Sequence, residues 1–409
     1  MHIEGRPESS LSNQNVAQKD NIIFINLRQK CQKWYMEASR LSVPSIFGRS
    51  PSTELLEDEM NLRLLKSLVS GESVSVNVNA LSRLLRKHRN TIRKEVLQLL
   101  EYKVVNPPVC PFAGLYKEYP LLVVVRADFP NEKPIHDWIS QDKHIFASYW
   151  SRRAEYNTLL FIYHKDVLTY QLWRESLTEE GRIPPRETRF PSSSIYVSNQ
   201  LMLKYDPSAA IGLMEAEVDQ KERIEVNGLV LEKVQFSILK HLVSGGVFKL
   251  NENLLSRELG VHRKTVTKRI DRLLKEGWIL PPVCRFPDLL CPPNYVLVYS
   301  MVEIRKGRDR VSHALKNDPH VSMALRISIG GYNALVFSAH PDISEHMEWE
   351  QSLSRRFTEC IGHVDVTYLS PRTKILIDQQ KVSLGIIEDH LARVRGKKLR
   401  ELVKVSDAG

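Results

Sequence analysis

Apolar positions along this chain alternate between two regimes. From Leu254 to Leu274 they recur at helical spacing: Leu254, Leu255 and Leu259 form one stripe, Gly260 interrupts it, and Val266, Ile270, Leu273 and Leu274 resume it at i, i+4, i+7 and i+8. An earlier stripe, Val234, Ile238, Leu239, Leu242 and Val243, precedes these, and Asn251 is placed to cap the helix after it, as Asn77 is upstream. The spacing predicts helix, helix, tight turn, helix. The period then shortens. Leu121–Ala127 and Tyr295–Ile304 read as strands, and runs such as Leu121–Val125 fall far below the ~20 residues a membrane span needs. After the second of these strands the pattern predicts a helix over Arg308–Asn317, a strand over Val321–Ile329, a Gly330-Gly331 turn, a strand over Asn333–Ala339, a helix over Ser344–Thr358 and a strand near Val364–Leu369. That order, βαββαβ, recurs in the first half and is the ferredoxin-like arrangement.

The two halves also repeat in sequence. LKSLVSGESVSVNVNALSRLLRKHRNTIRKEVLQLLEYKVVNPPVCPF, from Leu65, pairs with LKHLVSGGVFKLNENLLSRELGVHRKTVTKRIDRLLKEGWILPPVCRF, from Leu239, without a gap over about 48 positions, roughly half of them identical. Agreement continues more weakly: Tyr156-Asn157 pairs with Tyr332-Asn333, His144 with His320, Trp173 with Trp349, and Ser176-Leu177 with Ser352-Leu353. The pattern implies a tandem duplication with copies of roughly 150 residues, each large enough for two subdomains. Pro-Pro-Val-Cys stands in both copies, at Pro107–Cys110 and Pro281–Cys284, where the prolines block further helix and the chain is expected to turn into a wing. Its cysteines read as small buried residues. Cys284 and Cys291 are too far apart for a usual zinc knuckle, and the first copy has no partner to Cys291.

Charge sharpens this picture. Lys and Arg outnumber Asp and Glu, 58 to 48, for a net charge of +10, which favours polyanion partners where it is clustered. It is clustered. The third helix of copy two carries Arg263, Lys264, Thr265, Thr267, Lys268 and Arg269 off its apolar stripe; that of copy one carries Arg89, Asn90, Arg93 and Lys94, preceded by Arg86 and Lys87. Cations gather at the N-terminal half of the helix, the half that a recognition helix presents to the major groove, where Arg, Lys, Asn and Thr reach bases and phosphates. His88 and His262 stand at the helix starts, as phosphate contacts or as caps. Five cysteines, few and odd in number, argue against a disulfide framework and for a reducing compartment. The polar N-terminus has no apolar signal core, so export is not expected.

A helix-turn-helix followed by βαββαβ resembles the Lrp/AsnC (leucine-responsive, feast/famine) family of prokaryotic and archaeal transcription regulators. The residues that carry the likeness are Leu255–Val261, Lys264–Ile270 and Leu273–Ile279, together with the Gly330-Gly331-Tyr332-Asn333 hairpin. The resemblance implies an α+β protein with two winged helix-turn-helix domains (54–118 and 229–292) alternating with two ferredoxin-like sensor domains (119–205 and 293–372). A helical extension at 1–53, a linker at 206–228 and a basic helix at 373–409 complete the division. It implies double-stranded DNA as partner, a cytoplasmic, nucleoid-associated location, and a covalent pseudo-dimer that reads two half-sites about one helical turn apart. A small-molecule effector would sit near Tyr156, Asn157, Gly330, Gly331, Tyr332 and Asn333. A further homodimer would form through sensor domains or terminal helices. Family members commonly carry one copy per chain and an acidic residue at the hairpin, where this chain has Asn157 and Asn333.

Siroheme decarboxylases look similar at this level, with two such units and a Tyr-Asn step on a middle strand; Arg152, Arg153 and His144 would then meet tetrapyrrole carboxylates. The cationic third helix in both copies weighs against that alternative and for a protein that is not an enzyme. No phosphate-binding glycine loop, serine nucleophile elbow or zincin pair occurs, and no cofactor or metal is called for. Residues 20–41 form a basic amphipathic stretch, and the C-terminal IEDHLARVRGKKLRELVKV reads as a second one, able to add a phosphate or a dimer contact.

Overall fold

The computed structural model describes residues 53–151, 155–182, 193–369 and 374–406, so the 20–41 stretch lies outside the described residues. The chain opens with α1 (Glu59–Ser70), β1 (Val74–Val76), α2 (Val78–Leu85) and α3 (Arg89–Glu101). A short α4 (Leu115–Glu118) leads into β2 (Leu121–Ala127), α5 (Lys133–Gln141), β3 (Ile145–Trp150), β4 (Thr158–His164), α6 (Val167–Glu179) and β5 (Ser193–Ser198). Next come β6 (Met202–Tyr205), α7 (Ile211–Lys221) and the hairpin β7 (Arg223–Val226) and β8 (Leu229–Glu232), so the expected 206–228 linker is folded.

The second half repeats the order: α8 (Lys233–Ser244), β9 (Phe248–Leu250), α9 (Glu252–Leu259), α10 (Arg263–Lys275), β10 (Val296–Ile304), α11 (Arg308–Asn317), β11 (Val321–Ile329), β12 (Tyr332–His340), α12 (Ile343–Arg356) and β13 (Ile361–Leu369). It ends in β14 (Lys374–Ile377) and the long α13 (Lys381–Ser406). Helix starts follow local chemistry: Asp58, Asn77 and Asn251 each accept a backbone N–H from the first turn they precede. The protein is of the α+β class.

Two five-stranded sheets run in the orders β14-β3-β4-β2-β5 and β13-β10-β12-β11-β6. Four strands of each come from one half, but the fifth comes from the other. β6 pairs with β11 (Tyr205 opposite Met323), and β14 pairs with β3 (Ile377 opposite Ala147). Each sheet buries both faces. Leu121, Val123 and Val125 face α5 and α6, whereas Leu122 and Val124 face the opposing sheet, where Phe161 meets Phe337 with ring centroids 5.5 Å apart. Alternate residues therefore serve different cores, and that is why β2 reads as a continuous apolar run rather than an alternating one.

The helical modules join the same way. β1 pairs antiparallel with β9, Ser75 opposite Lys249. The two Pro-Pro-Val-Cys segments meet each other: Val109 and Val283 exchange both backbone hydrogen bonds, at 3.1 and 3.0 Å. Cys110 N donates to Leu68 O and Cys284 N to Leu242 O, both at 3.0 Å, which pins each segment under its own first helix. This corrects the expected wing. Among the described residues no hairpin follows either third helix, because the segments that would form it pair across the halves instead. The four described cysteines are free and buried, as small core residues would be. Burial pushes the Cys110 and Cys284 thiols up to about 12.

α13 closes the structure over α1, with Lys66 to Glu388 at 2.8 Å and Arg395 and Lys398 both on Glu59, at 3.1 and 2.9 Å.

Candidate nucleic-acid interface

α3 and α10 are built alike from the turn onward. Arg86 adopts φ 51° where Gly260 adopts 64°, so the turn before each helix is left-handed in both halves although only one has glycine. The Ser82 hydroxyl donates to Lys87 O (2.6 Å), and the Ser256 hydroxyl donates likewise to Val261 O. His88 and His262 are the N-caps. Each ring Nδ1 accepts a backbone N–H two residues on, from Asn90 at 3.2 Å and Lys264 at 3.1 Å. The buried stripes are Ile92, Val96 and Leu99 in α3 and Val266, Ile270 and Leu273 in α10.

The outer surfaces differ. In the first half Arg86, Lys87, Arg89, Asn90, Arg93 and Lys94 are all exposed, and none of these cations forms an ion pair among the described residues. In the second half Lys264, Thr265 and Lys268 are exposed and Lys264 and Lys268 are unpaired, but Arg263 Nε lies 2.7 Å from Glu252 Oε2. The Thr267 hydroxyl donates to Arg263 O at 3.2 Å. Arg269 turns inward: its guanidinium donates to Asp58 Oδ1 at 3.0 Å and to Asn61, tying α10 to the start of α1.

The residues expected to hold an effector have other partners. Asn157 clamps Phe129 through both its amide atoms (3.0 and 2.7 Å), and Asn333 clamps Ile304 in the same way (2.8 Å each). Tyr156 is buried and its hydroxyl shares a 2.9 Å hydrogen bond with Thr367 of the other sheet; the Tyr332 ring lies 5.8 Å from that of His363. Gly330 and Gly331 form the β11–β12 turn at φ 53° and 88°. Arg152 and Arg153 lie outside the described residues.

His144 belongs to a group that the repeat hinted at only through its paired His and Trp. Its ring stacks on His164 at 4.2 Å, while Trp173 Nε1 donates to Asp142 Oδ2 at 2.8 Å. The second half repeats this, with His320 on His340 at 4.9 Å and Trp349 Nε1 to Asp318 Oδ2 at 2.8 Å. Burial, with the neighbouring histidine, drives His164 and His340 each down to about 3, so both rings are neutral.

Sequence reasoning missed a second feature altogether. A cleft of about 1730 Å³ separates the paired helical modules from the sheets, with walls from both halves. It arises from long-range packing of segments that carry no local signature.

No helix among the described residues is long and apolar enough to cross a membrane, and none of their His, Cys, Asp and Glu side chains group as a metal site.

No family model matches the sequence, and no curated protein matches it. Among solved structures, the siroheme decarboxylase NirDL is similar at 9% identity and a TM-score of 0.44, over 83% of this chain and 100% of that one. Its co-complex with an iron-uroporphyrin III analogue gives 9% identity and 0.46, over 82% and 100%. An AsnC family transcriptional regulator from Agrobacterium tumefaciens gives 18% identity and 0.26, over 34% of this chain and 89% of that one.

Proposed function

We propose that the chain binds duplex DNA through α3 and α10 and acts as a transcription regulator of the Lrp/AsnC type. In this reading it is a covalent pseudo-dimer of two helix-turn-helix units and two ferredoxin-like sensor domains. The observation that carries the reading is the set of exposed cations at the starts of two equivalent helices, unpaired at Arg86, Lys87, Arg89, Arg93 and Lys94 and at Lys264 and Lys268, presented with a polar Asn or Thr and anchored by β1–β9 pairing. A solvated helix with no polyanion to meet has no cause to hold several like charges side by side, since each repels the next. Paired modules in one chain fix the distance between two recognition helices, which suits a pseudo-palindromic site.

The affinity is set mostly by phosphate contacts and so falls steeply with salt. In a gel shift, Arg263→Ala, Lys264→Ala and Lys268→Ala together weaken duplex binding by roughly tenfold or more while the melting temperature stays near wild type. Unchanged binding would remove the assignment of α10.

One observation favours a second reading, a tetrapyrrole enzyme of the siroheme decarboxylase kind: the cleft is large enough for such a substrate. An intense absorbance band near 400 nm on adding siroheme, followed by release of carbon dioxide, would replace the regulator with that enzyme.

A further inference from the structure

The walls of the cleft are chemically one-sided. Tyr116 lies between Tyr163 and Tyr205, edge-on to both with ring centroids 6.1 Å away, and Phe146 stacks on Tyr163 at 5.2 Å. At the equivalent strand positions the second sheet has Ser322 for Phe146 and Ala339 for Tyr163. The aromatic wall is therefore present once, despite the repeated architecture. Beside it the second half supplies the charge: Arg285 lies over the Tyr205 ring at 6.0 Å.

The acids that line the cleft are already committed. Asp288 holds Lys374 at 2.6 Å, Asp318 holds His320 and Trp349, and Asp206 accepts from Ser208. Arg285, Lys275 and Lys316 face the same cleft with no ion pair among the described residues. An aromatic surface beside uncompensated cations is complementary to an aromatic ring that carries an acid group. The ring packs on Tyr and Phe faces, and the guanidinium takes the anion through charge-assisted hydrogen bonds.

We propose that this cleft binds an aromatic organic anion, its ring on the Tyr116–Tyr163–Tyr205 wall and its acid group on Arg285 beside that wall, and that its occupancy changes affinity for duplex DNA. The coupling rests on the regulator reading given above; the binding does not. A ligand here touches α2 and the end of α8 on one side and β3, β4 and β12 on the other. It therefore bridges the helices that carry the two recognition helices and the sheets that hold them, and shifts the equilibrium toward whichever relative placement fits it better.

The test uses the full chain and 1-anilinonaphthalene-8-sulfonate as probe, with uncharged N-phenyl-1-naphthylamine as its control. The sulfonate should bind saturably at one site per chain, and Arg285→Met should weaken it by about tenfold while the melting temperature holds. Ala209→Trp, which puts an indole into the cleft, should weaken binding of both probes. Sulfonate binding indifferent to both substitutions, or no tighter than the neutral control, overturns the site. Duplex affinity is then titrated with and without saturating sulfonate. A change of about threefold or more, absent in Ala209→Trp, supports the coupling, and an unchanged value overturns it. If no duplex binds at all, the regulator reading and its coupling fall, and the probe titration alone decides the site.

Discussion

α3 and α10 share a cap, a turn and a buried stripe, yet present different electrostatics. The first helix leaves Arg86, Arg89, Arg93 and Lys94 free; the second gives Arg263 to Glu252 and Arg269 to Asp58. The residues opposite explain it. Glu252 stands in α9 where α2 has Val78, so Arg89 has no equivalent acid to meet. An exposed pair such as Arg263–Glu252 is worth under about 1 kcal/mol, so a phosphate can displace the glutamate at little cost. Arg269, half-buried and holding two partners, is a structural tie. Equal architecture thus carries unequal charge, with the unpaired cations concentrated on the first half.

The largest effect expected from that asymmetry is on duplex affinity. Arg89→Ala, Arg93→Ala and Lys94→Ala together should cost about 100-fold, some 3 kcal/mol, and should lower the slope of log affinity against log salt by about 3. Changing Arg263, Lys264 and Lys268 of α10 to Ala together should cost roughly tenfold less than that, because Arg263 is already partnered by Glu252. Equal losses in a gel-shift salt series would erase the distinction between the halves.

Acid should treat the halves alike, since both contain the same stacked histidine pair. His164 and His340 are held neutral, near 3 in the folded state against about 6.5 when unfolded. Below 6.5 the unfolded chain binds more protons, so this stabilisation is complete above that pH and is lost as pH falls toward 3. The groups facing them, His144 and Asp166 in one half and His320, His346 and Asp318 in the other, do not reverse that sign. Between pH 6.5 and 5.5 each histidine should contribute about 1 kcal/mol of destabilisation in urea melts. His164→Gln and His340→Gln should each remove their own share of that pH dependence, about 1 kcal/mol, while the part from His144 and His346, which burial also lowers, persists. A variant that leaves it intact would exempt its half.

A smaller loss should follow at the tie. Asp58 caps α1 by accepting from Asn61 N at 2.9 Å and also holds Arg269. Asp58→Ala should cost about 1–2 kcal/mol, and Asp58→Asn, which keeps the cap, less than half of it. Calorimetry separates the two contributions: identical losses would leave the cap no role, and no loss in Asp58→Asn would leave the ion pair none.

What the chain revealed in advance follows from the range of each interaction. The helix order, the βαββαβ order and strands such as Leu121–Ala127 and Val321–Ile329 depend on periodicity within a dozen residues, and their spans agree with the structure. The cations of the third helices were legible for the same reason, but the diversion of Arg269 to Asp58 was not, because 211 residues separate them. Strand exchange by β6 and β14, pairing of the Pro-Pro-Val-Cys segments and the cleft all join short segments across the halves. Nothing local in four residues such as Met202–Tyr205 specifies which sheet they extend.

Arg86 is where the two halves conflict most directly. A left-handed arginine costs about 1 kcal/mol relative to glycine, because its Cβ crowds the following carbonyl. The second half avoids that cost with Gly260 at the same backbone conformation. The strain at Arg86 makes sense if the side chain serves the interface, since an exposed arginine beside the helix start adds a cation that the second half lacks there. Arg86→Gly should therefore raise stability by roughly 0.5–1 kcal/mol while weakening duplex binding a few-fold, and Gly260→Arg should do the reverse. Denaturant melts and gel shifts on these two variants test the trade. If Arg86→Gly gains stability with no loss of binding, the strain at Arg86 serves nothing at the DNA face, and the first half's interface begins at Lys87.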